Sequence, residues 1–267
     1  MPELPEVETV CRQLGVSAVP LKIAKVDILD PRVVKGVAIE ELVRGLKGKT
    51  IQSVARRGKL IIFELSSRGY LVLHLRISGW IVQDDTVDHH ARLCLHGAGG
   101  EMIQFCDSRV LGEVRLVRTL DEVSLIRRMG PEPLEVSAKE FMNIFQARSG
   151  KIKPLLMDQS LLAGIGNIYA QESLFCAGIH PERRADSLSQ EELRKLRRCL
   201  RSILTQAIKK GGTTARTYRQ TDGSGGEYGG HLCVYQRHRQ RCRRCEGKIV
   251  KTAVGGRGTC FCPGCQR

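Results

Sequence analysis

The sequence lacks any long hydrophobic run, and it lacks the features of an export signal. No apolar stretch approaches the roughly 20 residues that a membrane-spanning helix needs. The opening residues, Met1 to Glu6, contain no basic region followed by an apolar core, which a secretory signal would have. We therefore expect no membrane partner and, by default, a cytoplasmic location.

Acidic residues are scarce relative to basic ones. The 267 residues include 43 Lys and Arg against 28 Asp and Glu, for a formal net charge of +15. Such a surplus opposes compactness through self-repulsion, and a polyanionic partner offsets it. Nucleic acid is the commonest partner of this kind, so the charge favours a nucleic-acid-binding protein. A surface that only keeps the protein in solution is the other interpretation.

The chain contains eleven cysteines, so they cannot all be paired with one another. An odd number, in a chain of this size without an export signal, argues against a disulfide framework. Seven are scattered, and we expect most of them to be small core residues. These seven are Cys11, Cys94, Cys106, Cys176, Cys199, Cys233 and Cys260.

The other four cysteines form two CxxC pairs near the end of the chain. Cys242 and Cys245 are followed after 16 residues by Cys262 and Cys265. Four thiolates so spaced can close a tetrahedron around Zn²⁺. No further ligand is implied, so we expect one zinc ion with a structural role and no small-molecule cofactor.

The first half of the chain has a short helix followed by strand-like segments. Pro5 suits the start of the helix, and Gly15 is expected to end it. From Ile23 to Val117 apolar runs are punctuated by Gly, Asp and Ser, which is typical of an antiparallel β-sandwich. The proline-bounded stretch from Met129 to Leu134 is the expected hinge.

The second half is helical until the cysteine module. Ser189 and Glu192 predict a capping box at the start of a long amphipathic helix. The glycine-rich stretch from Thr221 to Gly230 is either a linker or a mobile functional loop. The whole pattern predicts an α+β multidomain fold. We expect an N-terminal catalytic β-sandwich domain (1–130), a helical helix–two-turn–helix domain (131–236) and a zinc-finger hairpin (237–267).

Two sequence features suit phosphate binding. Gly164 and Gly166 allow a sharp turn between two helices, and Asn167 is a natural N-cap of the second helix. The exposed amides and the Asn167 side chain would then bind a DNA phosphate, helped by the helix dipole. Arg257 lies in Gly-Gly-Arg-Gly at the expected tip of the zinc-finger hairpin, where its guanidinium can bind a phosphate. A simple turn and a simple surface charge are the alternatives.

The N-terminus can supply a nucleophile. Methionine is normally removed ahead of a small second residue, which would leave Pro2 with a free secondary amine beside the carboxylate of Glu3. An α-amine has a pKa of about 7.7–8.0, so a good fraction is neutral at cellular pH. Attack on a sugar C1′ would give a cationic iminium, and Glu3 stands where a general acid or base is needed. Taken alone, Met-Pro is also an ordinary start.

Motifs along the whole chain resemble those of the formamidopyrimidine-DNA glycosylase family. They are the opening Pro2-Glu3-Leu4-Pro5-Glu6-Val7-Glu8-Thr9, Arg56-Arg57-Gly58-Lys59, His74-Leu75, Gly130-Pro131-Glu132-Pro133-Leu134, Ile152-Lys153-Pro154, Gly164-Ile165-Gly166-Asn167-Ile168-Tyr169-Ala170 and the zinc finger. The resemblance implies a monomeric bacterial enzyme of base excision repair. Its partner would be double-stranded DNA containing damaged bases such as 8-oxoguanine and formamidopyrimidines.

The resemblance also implies a role for individual residues. Pro2 would be the Schiff-base nucleophile, Glu3 the acid/base, Lys59 the proton-transfer residue in β-elimination and Arg257 a phosphate ligand in δ-elimination. The DNA contacts would be His74, His90, Arg109, Arg148, Lys153 and Asn167. The pocket for the everted base would include Glu6, Arg216, Thr217 and Tyr218, under the glycine-rich loop.

The chain departs from the family at the residues that fill the place of the everted base. The usual Asp-Pro-Arg-Arg-Phe-Gly is here Asp-Ser-Arg-Val-Leu-Gly, so Val110 replaces an arginine and Leu111 replaces a phenylalanine. Ile77 replaces a methionine. The wedge residues Ile77 and Leu111 stay apolar, but aromatic stacking is lost. We expect weaker lesion probing or an altered opposite-base preference; neutral drift is the alternative.

Two other functions stay open at this point. One is an endonuclease VIII-like preference for oxidised pyrimidines, which the altered wedge allows. The other is a non-catalytic zinc protein that binds damaged DNA. Such a protein would be expected to lack Pro2, Glu3 or Lys59, and all three are present.

Overall fold

The computed structural model describes residues 1–214 and 218–267. They form two compact units, each made of two separate parts of the chain. The first unit comprises Met1–Arg127 and Ile208–Gly229, and the second comprises Arg128–Ala207 and Gly230–Arg267. The compact units are discontinuous in sequence. The boundaries of the three domains expected from the sequence stay a prediction. Within the described ranges, no helix is long and apolar enough to cross a membrane.

The described residues contain helices and strands in the order that an α+β multidomain fold requires. The helices are α1 (Leu4–Ser17), α2 (Ile39–Leu46), α3 (Ser124–Arg127), α4 (Ala138–Gln146), α5 (Ile152–Met157), α6 (Asn167–Ala177) and α7 (Gln190–Lys209). The strands are β1 (Leu21–Ile28), β2 (Thr50–Arg57), β3 (Leu60–Leu65), β4 (Tyr70–His74), β5 (Gly79–Gln83), β6 (Ala91–Gly97), β7 (Met102–Asp107), β8 (Glu113–Val117), β9 (Val250–Val254) and β10 (Arg257–Phe261).

The first unit is built on one antiparallel sheet in the order β5-β7-β6-β1-β2-β3-β4-β8. Strand β1 joins the two halves: Leu21 and Lys22 pair with β2, and the rest of the strand pairs with β6. Both halves and α1 contribute to one hydrophobic core, so the sheet folds over itself as the predicted sandwich.

Two local predictions in the first unit are wrong. Helix α1 does not end at Gly15 but continues to Ser17, because an exposed glycine weakens a helix by about 1 kcal/mol without stopping it. The stretch predicted as strand-like contains helix α2. Its Leu42 and Leu46 are fully buried and lie four residues apart, on one face of the helix.

The second unit contains the helices of the predicted helix–two-turn–helix and the β9–β10 hairpin. Helix α6 is buried on nearly all sides, so its sequence has no polar face. The capping box at α7 is confirmed: the Ser189 backbone N–H donates to Glu192 at 2.8 Å, and the Glu192 N–H donates to the Ser189 hydroxyl at 3.2 Å.

The scattered cysteines are not all core residues. Cys176 at the end of α6 and Cys199 on α7 form a disulfide, with their Cα atoms 5.8 Å apart. The parity of the cysteine count excludes a complete disulfide framework but not a single pair brought together by helix packing. Cys11, Cys94, Cys106 and Cys260 are buried, as expected.

Candidate active site

The predicted nucleophile and acid/base lie at the start of α1. Pro2 is buried, and Glu3 is only 2% exposed. Glu3 is the N-cap of α1, and it forms a capping box with Glu6. The Glu3 backbone N–H donates to the Glu6 carboxylate at 2.8 Å. The backbone that carries both candidate catalytic residues is therefore held in place by the first turn of the helix.

Glu6 also holds a distant part of the chain. Its second carboxylate oxygen accepts the Thr213 backbone N–H at 2.8 Å. Tyr218 is buried beside it, with its hydroxyl 3.1 Å from the Gly211 carbonyl oxygen. Burial and the nearby Glu6 carboxylate raise the Tyr218 pKa, so the phenol stays protonated. The other predicted pocket residues, Arg216 and Thr217, lie outside the described residues.

Lys59 lies in the tight turn between β2 and β3 and is 6% exposed. Gly58, with φ of +55°, makes this turn possible. The Arg56 guanidinium binds Glu8 of α1 at 2.8 Å and the Gly58 carbonyl at 3.1 Å. Burial opposes ionisation of Glu8, but hydrogen bonds from Arg12 and Arg56 hold its pKa below the usual value. This ion pair ties the turn that carries Lys59 to α1.

His74 is a neutral side chain at the end of β4. Burial, with a contribution from the positive charges of Arg76 and Lys59, lowers the His74 pKa to about 4. The Arg76 backbone N–H donates to Nδ1 at 2.8 Å, so the ring proton is on Nε2. His74 can therefore donate one hydrogen bond to a phosphate oxygen, but it carries no charge to a DNA backbone.

A buried carboxylate organises the loop that carries the predicted wedge. Asp107 is fully buried at the end of β7, and its carboxylate accepts four hydrogen bonds. The donors are the backbone N–H groups of Arg109 (3.0 Å), Leu111 (2.7 Å) and Gly112 (2.7 Å) and the Ser78 hydroxyl (2.6 Å). These hydrogen bonds lower the Asp107 pKa in spite of burial, so it stays ionised.

Asp107 thereby joins the two loops of the predicted wedge. Ser78 follows Ile77 in one loop, and Leu111 lies in the other. Ile77 and Leu111 are among the few large apolar side chains that are exposed, at 45% and 40%. Arg109, in the same loop as Leu111, is also exposed. Two apolar side chains and one guanidinium are thus available to a partner.

Val110 is the strained residue of this loop. Its φ is +55°, a left-handed conformation that is rare for β-branched side chains and costs about 1–2 kcal/mol. The N–H groups on either side are held by Asp107, and the Val110 side chain packs on the core of the unit. Packing therefore accounts for an apolar residue at this position.

His90 lies next to the same loop. Its carbonyl oxygen accepts the Asp107 backbone N–H at 2.9 Å, and its ring packs edge-on against Trp80 with centroids 5.6 Å apart. His90 is partly exposed, as a predicted DNA contact should be. Its role stays a prediction.

In the second unit, three predicted DNA-binding residues lie around the hairpin tip. The Gly255-Gly256 turn has φ of +59° and +70°, and a Cβ on Gly255 would approach Pro154, the neighbour of Lys153, to 2.7 Å. The Asn167 side-chain amide donates to the Gly258 carbonyl at 3.1 Å. Exposed Arg257 lies between these two contacts in sequence. Lys153, Asn167 and Arg257 are therefore brought to one part of the unit.

The predicted capping role of Asn167 is wrong. The N-cap of α6 is Gly166, and Asn167 is the first helical residue. Because Asn167 does not cap the helix, its side-chain amide is available to bind the hairpin. Its position in the first turn still suits an anion bound at the helix N-terminus. Arg148, the remaining predicted contact, is partly buried and donates to the Ile144 carbonyl.

Three side chains that the sequence analysis did not single out hold this part of the second unit. Gln159 binds both sides of the two-turn loop: it accepts the Gly164 N–H and donates to the Ile165 carbonyl, each at 2.9 Å. Gln171 accepts the Cys260 N–H at 2.6 Å. Glu172 accepts three backbone N–H groups from residues 233–235. For Gln171 and Glu172, the available signal was the presence of polar residues in a helix that is otherwise largely apolar.

The four predicted ligands form the site of one structural zinc ion. The sulfur atoms of Cys242, Cys245, Cys262 and Cys265 all lie within 4.8 Å of one another. A tetrahedral site with Zn–S bonds of about 2.3 Å requires sulfur atoms about 3.8 Å apart. Cys242 to Cys265 is 3.8 Å and Cys245 to Cys262 is 3.5 Å, so the cluster fits the ion.

The combination of this sandwich, a helix–two-turn–helix and a zinc hairpin places the chain among the DNA glycosylases of base excision repair. Three family models match it. They are the formamidopyrimidine-DNA glycosylase N-terminal domain over residues 1–114, the H2TH domain of the same enzyme over residues 129–219, and the zinc finger found in FPG and IleRS over residues 239–267. The chain belongs to the formamidopyrimidine-DNA glycosylase family.

Similar proteins agree along the full length. The formamidopyrimidine-DNA glycosylase of Exiguobacterium sp. is 39% identical over 275 residues, with 100% of both chains covered. That of Pelotomaculum thermopropionicum is 40% identical over 274 residues, with 100% of this chain and 99% of the relative covered.

Two solved structures are similar throughout. A Lactococcus lactis FPG mutant in complex with Fapy-dG containing DNA has a TM-score of 0.93 at 38% identity, covering 100% of both chains. L. lactis Fpg in complex with DNA containing an abasic site has a TM-score of 0.92 at 38% identity, covering 99% of each.

Proposed function

We propose that the chain is a bifunctional DNA glycosylase and AP lyase. It removes oxidised purines, such as 8-oxoguanine and formamidopyrimidines, from double-stranded DNA and then cuts the strand by β,δ-elimination. The observation that carries the proposal is the start of α1, where Pro2 and Glu3 are buried and Glu6 holds the Glu3 backbone. The proposal is supported by the relatives that match over the full length, which are named formamidopyrimidine-DNA glycosylases. It is also supported by the similar structures, which are complexes with DNA that contains Fapy-dG or an abasic site.

The first chemical step uses the secondary amine of Pro2 after removal of Met1. The nitrogen attacks C1′ of the damaged nucleotide, the bond to the base breaks, and the base leaves with a proton. Opening of the sugar ring then gives an iminium between Pro2 and C1′. Glu3 is the residue placed to give a proton to the ring oxygen.

The iminium then promotes strand cleavage. It withdraws electrons from C2′, so loss of a C2′ proton expels the 3′ phosphate. Lys59 is the proposed proton-transfer residue, and its buried turn keeps its side chain in a defined place. A second elimination expels the 5′ phosphate, with Arg257 as the proposed phosphate ligand. Water finally releases Pro2 from the sugar remnant.

The proposed DNA contacts complement this chemistry. In the first unit they are His74, His90 and Arg109, with Ile77 and Leu111 filling the place of the everted base. In the second unit they are Arg148, Lys153 and Asn167. Exposed apolar residues in two loops that are joined by Asp107 suit insertion into a base stack, because unstacked bases leave apolar surface to cover.

Borohydride trapping tests the nucleophile. A duplex with 8-oxoguanine is incubated with the protein and borohydride, and the intact mass of the covalent adduct is measured. We expect every adduct to contain a chain that lacks Met1, since Pro2 is an amide nitrogen while Met1 is attached. Adducts that retain Met1, or trapping that survives unchanged in Pro2→Gly, would refute Pro2 as the nucleophile.

The same assay separates the alternative functions. The altered wedge at Val110 and Leu111 allows a second candidate, an endonuclease VIII-like enzyme, which would excise thymine glycol in preference to 8-oxoguanine. Protein shown to lack Met1 that traps no lesion and no abasic site would be a damaged-DNA-binding protein without catalysis.

We also propose that the enzyme acts in the bacterial cytoplasm on nucleoid DNA. Its full-length relatives are bacterial proteins, and its proposed substrate is located there.

A further inference from the structure

One face of α1 carries a row of polar side chains that hold other parts of the first unit. Glu6, Thr9, Gln13 and Ser17 are spaced by three or four residues and so share a face of the helix. Glu6 accepts the Thr213 backbone N–H, and Ser17 donates to the Gln83 side chain. Glu6 and Thr9 are buried, whereas Gln13 is partly buried and Ser17 is exposed. A buried helix face is normally apolar, so the buried polar side chains need partners.

Gln13 makes three hydrogen bonds through its side chain. Its amide N–H donates to the Gln220 side-chain oxygen at 2.7 Å. Its amide oxygen accepts the Thr221 backbone N–H at 3.1 Å and the Thr221 hydroxyl at 3.2 Å. All three hydrogen bonds go to a segment that lies about two hundred residues away in sequence, which we define as loop 218–225.

Loop 218–225 has its own compact hydrogen-bonded turn. The Gln220 N–H donates to the Ser224 carbonyl at 2.8 Å, and the Gly223 N–H donates to the Gln220 carbonyl at 3.0 Å. Gly223 has φ of +81°, which the turn requires. The loop is thus ordered as a unit, and Gln13 fixes that unit to α1.

A second attachment lies at the edge strand β5. The Gln83 backbone N–H donates to the Thr221 carbonyl at 2.8 Å, and the Arg219 guanidinium lies 5.8 Å from the centre of the Trp80 ring. Trp80 is the only tryptophan of the chain and is 5% exposed. Its fluorescence can therefore report whether the loop is in place.

We propose that Gln13 is a positioning residue that holds loop 218–225 against α1, and that this hold favours excision of a damaged base over cleavage at a site that has already lost its base. The inference rests on the proposed function. The loop is anchored on the helix whose first turn holds Pro2 and Glu3. The position of the loop can therefore affect how a damaged base is held near these two residues. An abasic site offers no base for the loop to contact.

The test compares Gln13→Ala with a matched control on another helix. Gln206→Ala removes an exposed glutamine of α7 whose side chain donates to the Ser202 hydroxyl within its own helix. Excision of 8-oxoguanine and cleavage of a preformed abasic site are measured under single-turnover conditions. We expect Gln13→Ala to lose about tenfold on 8-oxoguanine and less than about twofold at the abasic site, and Gln206→Ala to match wild type.

Trp80 provides a readout that needs no substrate. Acrylamide quenching should be about twofold stronger in Gln13→Ala than in wild type, because release of the loop uncovers the ring. Gln13→Glu should fall between the two, since a carboxylate still accepts from Thr221 but cannot donate to Gln220. Unchanged melting temperatures would show that the fold is intact.

Two results would overturn the inference. One is an equal loss on both duplexes, and the other is Trp80 quenching that Gln13→Ala does not change. Wild-type protein that acts on neither duplex would instead overturn the proposed function. The quenching comparison would then decide by itself whether Gln13 holds the loop.

Discussion

At the scale of the single residue, Asp107 shows how one carboxylate can shape a recognition loop. It keeps four donors paired in a fully buried position, and three of them are the backbone N–H groups of residues 109, 111 and 112. These bonds offset the left-handed conformation of Val110. The exposed positions of Arg109 and Leu111 therefore depend on a residue that is itself fully buried.

Asp107→Asn should destabilise the first unit by about 3 kcal/mol at neutral pH, because an amide cannot accept all four bonds. The folded-state pKa of Asp107 lies below its unfolded value of about 3.9. Its contribution is thus fully present above about pH 4 and is lost as pH falls through the folded pKa. Denaturant unfolding of wild type and variant should therefore converge only in acid.

The control for this prediction is Asp84→Asn. Asp84 is exposed and accepts one backbone N–H, from Thr86. It should change stability by less than about 1 kcal/mol. A destabilisation by Asp107→Asn that persisted undiminished well below the folded pKa would contradict an ionised Asp107.

Substitution of Leu111 can test whether the altered wedge changes the recognition of damaged bases. Its side chain is 40% exposed, so a larger ring can be accommodated. Stacking of an aromatic ring on a base is worth about 1–3 kcal/mol. Leu111→Phe should therefore alter 8-oxoguanine excision, measured opposite each of the four bases. Unchanged rates opposite all four would favour neutral drift at this position; Leu29→Phe, another exposed leucine, is the control.

At the scale of the element, helix α6 supports the zinc hairpin from its buried side. Gln171 accepts the Cys260 N–H of β10 and donates to the Asn167 and Gly258 carbonyls at 2.8 and 3.3 Å. Cys260 lies two residues before the zinc ligand Cys262. One helix therefore holds both the hairpin strand and, at its first turn, a predicted phosphate contact.

Gln171→Leu should loosen the hairpin, since it leaves a buried backbone N–H unpaired at a cost of about 1–3 kcal/mol. Zinc release to a chelator should become about tenfold faster. Gln190→Leu removes an exposed glutamine at the start of α7 and should leave the release rate unchanged. Equal release rates in both variants would show that the zinc ligands hold the hairpin without help from α6.

At the scale of the whole molecule, cationic residues and the neutral His74 are expected to affect the salt dependence of DNA binding differently. Each cationic phosphate contact releases counterions and steepens the salt dependence of DNA affinity by about 0.9 in the log–log slope. Arg257→Gln should therefore weaken binding and make the slope shallower by about 1. His74→Gln should weaken binding with little change of slope, because the Nε2–H donor has no charge at neutral pH.

Affinities for one abasic-analogue duplex across a salt series check both variants. A slope that became shallower in His74→Gln would mean that DNA binding protonates the ring. An affinity of wild type that barely changed with salt would contradict phosphate binding by a cationic surface.

Much of this molecule follows from short-range patterns. The spacing of four cysteines determines the zinc site, the serine–glutamate pair determines the start of α7, and paired glycines determine the hairpin tip at Arg257. Each of these depends on residues close in sequence, where backbone geometry and ligand spacing leave few choices. The family resemblance adds the catalytic roles.

Long-range contacts decided the rest. The discontinuous units, the Cys176–Cys199 disulfide and the hold of Gln13 on loop 218–225 join residues from distant parts of the chain. The distant partners of a glycine-rich loop cannot be predicted from its own residues, and helix α2 is taken for a strand when only its apolar residues are counted. The sequence by itself determined which chemical groups are present, and the tertiary structure decided which of them meet.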